Sequence, residues 1–263
     1  MSQYYTAKRT RNLFDSRSKE PFTISRSKLD IFLNCERCSY LDLRLGVGRP
    51  PGFPMTLNNA VDELLKREFD AHRAKGTVHP LAKAYGLKAV PYEHQKLEEW
   101  RDALKRGIKY HDPDSNFILR GGIDDVWIDE NKDLIIVDYK ATSKKTDVNL
   151  DADWQISYKR QMEVYQWLFQ KNGFPVSKRG YFVYANGDSD AEAFDGKLDF
   201  ELTLLPYDGN PEWIPEALLR LRALLTDNAI PKASSECDYC TYRDAAGKTL
   251  MAHAKEYAKK AKE

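Results

Sequence analysis

Histidine is scarce in this chain of 263 residues: there are five. None of His72, His79, His94, His111 and His253 stands at a spacing that pairs it with another ligand or with a nucleophile. They read as surface or core residues, and an imidazole-based metal site is not expected. A Gly-rich phosphate loop and a nucleophile elbow are also missing, which sets aside the nucleotide-binding and serine-hydrolase classes. No apolar run approaches membrane-spanning length, and the N-terminus lacks the apolar core of a signal peptide. A soluble cytoplasmic protein without a membrane partner is therefore expected. Charge of one sign is lacking as well: 41 Lys and Arg against 40 Asp and Glu leave a formal net charge of +1, which by itself says nothing about a polyanionic partner. Basic residues do gather at the ends, with Lys8, Arg9, Arg11, Arg17 and Lys19 at one and Lys248, Lys255, Lys259, Lys260 and Lys262 at the other. Such ends suit phosphate contacts and equally suit solvated, frayed termini.

What is present is enough for a real core, with 42% hydrophobic and 12% aromatic residues. Two segments stand out, Leu119-Arg-Gly-Gly-Ile-Asp-Asp-Val-Trp127 and Leu134-Ile-Ile-Val-Asp-Tyr-Lys-Ala-Thr142. Strand alternation puts Ile136, Asp138 and Lys140 on one face of the second, with Asp138 and Lys140 beyond apolar residues. The linker Asp129-Glu-Asn-Lys132 suits a tight hairpin with Asn131 in a left-handed conformation. That hairpin brings Asp124 next to Asp138. Gly121 and Gly122 are awkward inside a strand and point to a bulge or a close backbone approach. Two carboxylates suit a hard divalent cation, Mg²⁺ or Mn²⁺. Such an ion polarises a phosphate and lowers the pKa of a water, and Lys140 is placed to orient that water or to stabilise charge on the phosphate. The competing reading of Asp-x-Lys is a cross-strand ion pair on a solvated sheet. Its place at the end of Leu-Ile-Ile-Val, a buried-strand signature, favours the catalytic one.

The four cysteines form two pairs, Cys35-Glu-Arg-Cys38 and Cys237-Asp-Tyr-Cys240, with none left over. This is metal-site arithmetic, and each pair can place two thiolates on one ion or cluster. Zn²⁺ in a thiolate tetrahedron and a [4Fe–4S] cluster are both open. Either clamps regions some two hundred residues apart.

These segments resemble the PD-(D/E)XK nuclease superfamily, and within it the RecB-like branch that includes helicase-associated nuclease domains and CRISPR adaptation exonucleases. Gly121-Gly-Ile-Asp124 is similar to the family's Gly-x-x-Asp strand and Asp138-Tyr-Lys140 to its Asp-x-Lys strand. Gln161-Met-Glu-Val-Tyr165 is similar to the Gln-x-x-x-Tyr helix that follows; its Gln161 and Tyr165 share a helical face. The resemblance implies that Asp124, Asp138, Lys140, Gln161 and Tyr165 form the catalytic set. The family's early-helix histidine is replaced by Asp62, within Leu57-Asn-Asn-Ala-Val-Asp-Glu-Leu-Leu65. Asp62 reads either as a third metal ligand beside Asp124 and Asp138 or as an i,i+4 partner of Lys66. Relatives of this branch often carry one early cysteine and three late ones around a [4Fe–4S] cluster. The two-plus-two pattern here departs from that and raises the case for zinc.

The implied fold is α/β, a restriction-endonuclease-like core with a mixed central β-sheet flanked by helices and a four-cysteine clamp joining the N- and C-terminal regions. A basic, flexible segment is expected over 1–22, a single nuclease-like domain over 23–245 and a lysine-rich helix over 246–263. Finer expectations are a capping box at Ser27-Lys-Leu-Asp30, a helix from Thr56 as N-cap to about Ala74 with Val61, Leu64, Leu65 and Phe69 as its stripe, and a helix over 93–106. Strands are expected over 117–128 and 133–142, then a helix over 154–171. The function implied is a metal-dependent deoxyribonuclease acting exonuclease-like on single strands or duplex ends, in repair, recombination or defence. A helicase- or integrase-type partner fits the branch. The alternative is a catalytically degenerate nucleic-acid-binding module with a structural metal.

Overall fold

The computed structural model describes residues 5–260; residues 1–4 and 261–263, with Lys262 of the basic tail, lie outside the described residues, as does the Lys259 side chain. In chain order the elements are β1 (Phe22–Ser25), α1 (Arg26–Asn34), α2 (Glu36–Leu43), α3 (Thr56–Lys75), α4 (Pro80–Ala84), β2 (Val90–Pro91), α5 (Leu97–Arg101), β3 (Ile108–Asp112) and β4 (Phe117–Gly121). They continue with β5 (Asp125–Ile128), β6 (Leu134–Thr142), α6 (Ile156–Lys171), β7 (Arg179–Gly187), β8 (Phe200–Asp208), α7 (Trp213–Thr226) and α8 (Asp238–Lys260). Among the described residues no helix is long and apolar enough to cross a membrane. The described residues form two compact units, one of residues 23–26 and 53–215 and the other of the remaining described residues on either side.

The unit of residues 53–215 is built on a five-stranded mixed sheet of order β2-β5-β6-β7-β8. Its centre, β6, runs antiparallel to β5 and parallel to β7, and α6 makes the crossover that a parallel neighbour requires. Leu134 to Tyr139 are buried without interruption, as the apolar run suggests for a strand covered on both faces. On one face Val61, Leu65 and Phe69, four apart along α3, pack with Trp127, Val137 and Tyr139. Leu64, expected in that stripe, is exposed. α6 meets the sheet where Gly180 has no side chain: a Cβ there would lie 2.4 Å from Met162 Sδ. A second, three-stranded sheet has the order β1-β4-β3.

Several boundaries differ from the sequence reading. The strand expected over 117–128 is two strands in two sheets, because residues 122–124 leave β3 and turn into register with β6; Ile123 N–H donates to Trp100 O at 3.1 Å on the way. The helix expected over 93–106 shrinks to Leu97–Arg101, since the chain turns at Asp102 and Gly107 (φ +74°) to enter β3. Met55, not Thr56, is the N-cap of α3, and Ser27 lies inside α1 rather than capping it. In the β5–β6 turn Lys132, not Asn131, takes the left-handed conformation (φ +70°), because Asp129 Oδ1 accepts the N–H groups of Asn131 and Asp133.

In the other unit Phe14, Leu29, Phe32, Tyr40 and Leu43 are buried. The N-terminal segment makes several contacts with this unit. Phe14 N–H donates to Leu43 O at 2.8 Å, and Arg9 pairs with buried Asp42 at 2.7 Å, a carboxylate also paired with Lys28. The boundary expected at residue 245 falls inside α8, which is continuous from Asp238 to Lys260.

Candidate active site

Asp138 lies in the middle of β6 and is fully buried. Its Oδ2 pairs with Lys140 Nζ, and its Oδ1 accepts from Gln161 Nε2 at 2.6 Å. Gln161 Nε2 also donates to the Tyr165 hydroxyl at 3.2 Å, so the two α6 residues one turn apart act together on one carboxylate. Lys140 Nζ lies 4.5 Å from the centroid of the Tyr158 ring, a third α6 residue. Asp124 precedes β5; continuing the register Asp125↔Val137 places it opposite Asp138. Its Oδ2 accepts the Tyr139 backbone N–H at 2.9 Å. The hairpin thus brings Asp124, Asp138 and Lys140 together. Gly121 allows a close approach, as its position suggests: a Cβ there would lie 2.5 Å from Tyr165 Cε1.

Asp62 makes the i,i+4 pair with Lys66 beside Asp124. Lys66 Nζ lies 2.7 Å from Asp62 Oδ2 and 3.8 Å from Asp124 Oδ1, so the i,i+4 pair faces the site. The start of α3 is fixed to β6 by Asn58 Nδ2 donating to Ala141 O at 3.0 Å. Burial raises the Asp62 carboxyl above its ordinary value and the Asp124 charge adds to this, against Lys66. Burial pushes Asp138 up to about 7; Lys140 opposes the shift and Asp124 reinforces it. Burial alone would lower Lys140, but the charges of Asp138 and Asp124 outweigh it and hold the ammonium firmly protonated. The three carboxylates offer only oxygen, the donor set of a hard divalent cation. Among the described residues no three carboxylates come as close together as the cysteine sulfurs do.

Sequence reasoning missed what fixes Asp124. Its neighbour Asp125 faces the opposite side of β5 and is fully buried. Asp125 Oδ1 meets Arg73 at 2.5 Å and Arg101 at 3.2 Å; its Oδ2 accepts from Tyr139 Oη at 2.8 Å and Trp127 Nε1 at 3.1 Å. Arg101 also clasps both oxygens of Asp70, at 2.8 and 2.9 Å, and donates to Asp124 O at 3.1 Å. A signal was available: an Asp–Asp doublet in an apolar strand must turn one carboxylate inward, where it needs cationic partners. Glu163 was missed likewise. It is buried on α6 and accepts from Tyr207 Oη at 2.6 Å and Trp213 Nε1 at 2.7 Å.

The four cysteines come together in the other unit. All four are buried, with their sulfurs within 4.8 Å of one another. Cys35 is the N-cap of α2, and Cys237 directly precedes α8. Each pair therefore occupies the start of a helix, where the helix dipole favours thiolate. Burial would raise the Cys35 thiol, but hydrogen bonds from the Ser234 and Cys38 backbones and from Cys237 and Cys240 bring it down to about 6, whereas burial raises the thiols of Cys38 and Cys240.

The model of one family, the PD-(D/E)XK nuclease superfamily, matches residues 43–245. The chain belongs to this superfamily. Its members are nucleases that use divalent metals, so a hydrolase fold with a nucleic acid as the substrate class is indicated. The match takes in Asp62, Asp124, Asp138, Lys140, Gln161 and Tyr165. Among solved structures, SSO0001 is similar over 82% of each chain, with 13% identity and a TM-score of 0.39. No curated protein matches.

Proposed function

We propose that this PD-(D/E)XK chain is a Mg²⁺- or Mn²⁺-dependent deoxyribonuclease of the RecB-like kind, acting exonuclease-like on single strands or duplex ends in repair, recombination or defence. The observation that carries the reading is Asp138. A buried ion pair contributes little to stability, and a second carboxylate facing it costs stability. Asp138, Lys140 and Asp124 are nonetheless held together, Asp138 by its pair with Lys140 and by Gln161 of α6, Asp124 by the Tyr139 backbone N–H, the pattern of a functional site. Asp124 and Asp138 would hold the metal, with Asp62 turning from Lys66 to join them. When bound, it supplies Lewis acidity toward a phosphate and lowers the pKa of a water. Lys140, kept protonated, stabilises negative charge on the phosphate or orients the attacking water. Gln161 and Tyr165 hold the Asp138 carboxylate in one orientation, and the Asp125 cluster fixes the strand that carries Asp124. A helicase- or integrase-type partner forms no part of this reading.

The test is cleavage of end-labelled single- and double-stranded DNA and RNA with Mg²⁺ or Mn²⁺, comparing wild type with Asp138→Asn and Lys140→Ala. Metal-dependent cleavage by the wild type alone supports the assignment. Cleavage by either variant at the wild-type rate refutes the site. If none of the three cleaves while DNA binding persists, the chain is a binding module built on a nuclease fold.

A further inference from the structure

The four cysteines lie too close together for the cluster that the cysteine-bearing relatives suggest. Cys38 Sγ is 3.5 Å from Cys237 Sγ and 3.6 Å from Cys240 Sγ, and Cys35 Sγ is 3.7 Å from Cys240 Sγ. No pair among the four exceeds 4.8 Å. A single tetrahedral ion with metal–sulfur bonds of about 2.3 Å has ligand sulfurs about 3.8 Å apart, since a tetrahedron's edge is about 1.63 times its centre-to-corner distance. Around a [4Fe–4S] cube each thiolate sits outside an iron corner, which puts the sulfurs roughly 6 Å apart. A two-iron cluster likewise needs its two cysteine pairs farther apart than the sulfurs within one pair.

The surroundings agree with a compact dianionic centre. Each cysteine pair lies at a helix start, of α2 and of α8, and two arginines donate to the sulfurs. Arg49 Nη2 lies 3.6 Å from Cys237 Sγ, and Arg243 Nη2 lies 3.3 Å from Cys240 Sγ. A divalent ion with four thiolates carries a net charge of −2, which two guanidinium groups offset. The donor set is wholly sulfur and wholly buried, with no position left for water or substrate, as in a closed structural site.

We infer that Cys35, Cys38, Cys237 and Cys240 bind one Zn²⁺ ion as a structural centre, in place of an iron–sulfur cluster. Loading is a simple exchange: four thiols lose their protons, four zinc–sulfur bonds form and no electron is transferred. The inference does not depend on the nuclease assignment, because it concerns a different unit and a different readout.

The test is metal and acid-labile sulfide analysis of the full chain, purified anaerobically from cells supplied with both iron and zinc. The expected result is one zinc per chain, no sulfide and no visible absorption. Iron with sulfide, iron alone, or a chain that neither retains nor takes up zinc overturns the inference. A second measurement needs no variant to fold: the metal-free chain is titrated with Co²⁺. One equivalent should give the intense visible bands of tetrahedral cobalt with sulfur charge transfer, and Zn²⁺ should abolish them one for one. Weak octahedral bands overturn it. Arg243→Ala, which keeps all four thiolates, should weaken zinc binding about 10–100-fold with the cobalt spectrum unchanged in type.

Discussion

Gly121→Ala tests whether the Gly-x-x-Asp strand is built around the Tyr165 ring. Gly121 does not sit at positive φ, so alanine brings no backbone strain and the effect is steric. The new methyl would lie 2.5 Å from Tyr165 Cε1 and 3.1 Å from Cδ1, where ordinary contacts begin near 3.4 Å. The ring must therefore move by about 1 Å, and Tyr165 is only 3% exposed, so it has nowhere free to go. Overpacking of this kind costs about 1–3 kcal/mol. The gain of about 0.4–1 kcal/mol from a less flexible unfolded chain offsets part of it. A net loss of about 1–2 kcal/mol is expected in urea titrations. The larger effect is on cleavage. The Tyr165 hydroxyl meets Gln161, which in turn holds Asp138, and a displacement of about 1 Å near the reacting groups can cost on the order of 100-fold in rate. Replacing the ring separates cause from coincidence. In a cycle with Tyr165→Leu, the double variant should be more stable than the sum of the single losses by about 1 kcal/mol or more. Additive losses, or a Gly121→Ala protein with unchanged stability and rate, would refute the argument.

Asp125→Ala should destabilise the protein by about 3–5 kcal/mol in denaturant titration, because it leaves Arg73 and Arg101 buried without their shared carboxylate; a loss under about 1 kcal/mol contradicts the assigned role. His79 gives a pH dependence. Its Nδ1 accepts the Leu81 N–H at 3.1 Å while Nε2 faces Glu68 at 2.9 Å, an arrangement for the neutral ring, and burial lowers its pKa despite Glu68. The unfolded chain therefore takes up this proton first. The stabilisation is complete above about pH 6.5 and is lost as pH falls through the lower folded value. The stability gap between wild type and His79→Gln should narrow from pH 7 to pH 5, and a constant gap counts against the assignment.

The parts legible in the sequence were those written in short spacings. Asp138 and Lys140 are two apart on a strand, Gln161 and Tyr165 four apart on a helix, and each cysteine pair three apart. The Asp124–Asp138 pairing followed from one hairpin. What stayed hidden was written across the chain. Arg73 and Arg101 stand 52 and 24 residues from Asp125, and no local pattern ties a helix arginine to a buried strand carboxylate. The expected helix over 93–106 was shortened by tertiary packing: Gly122 lies against the Ala103 backbone, where a Cβ would sit 2.5 Å from Ala103 Cα, so the chain must already have turned. The break between β4 and β5 was veiled because both halves carry strand-like residues, and only their partners differ.

The cysteine centre also sets an order of events during synthesis. Cys35 and Cys38 leave the ribosome first and wait for partners 199–205 residues later. At about 5–20 residues per second that interval is about 10–40 s. For that time they are an open dithiol, exposed to oxidants and to stray metal. The unit they belong to is built from residues on both sides of 53–215, so it closes only after that stretch has been made.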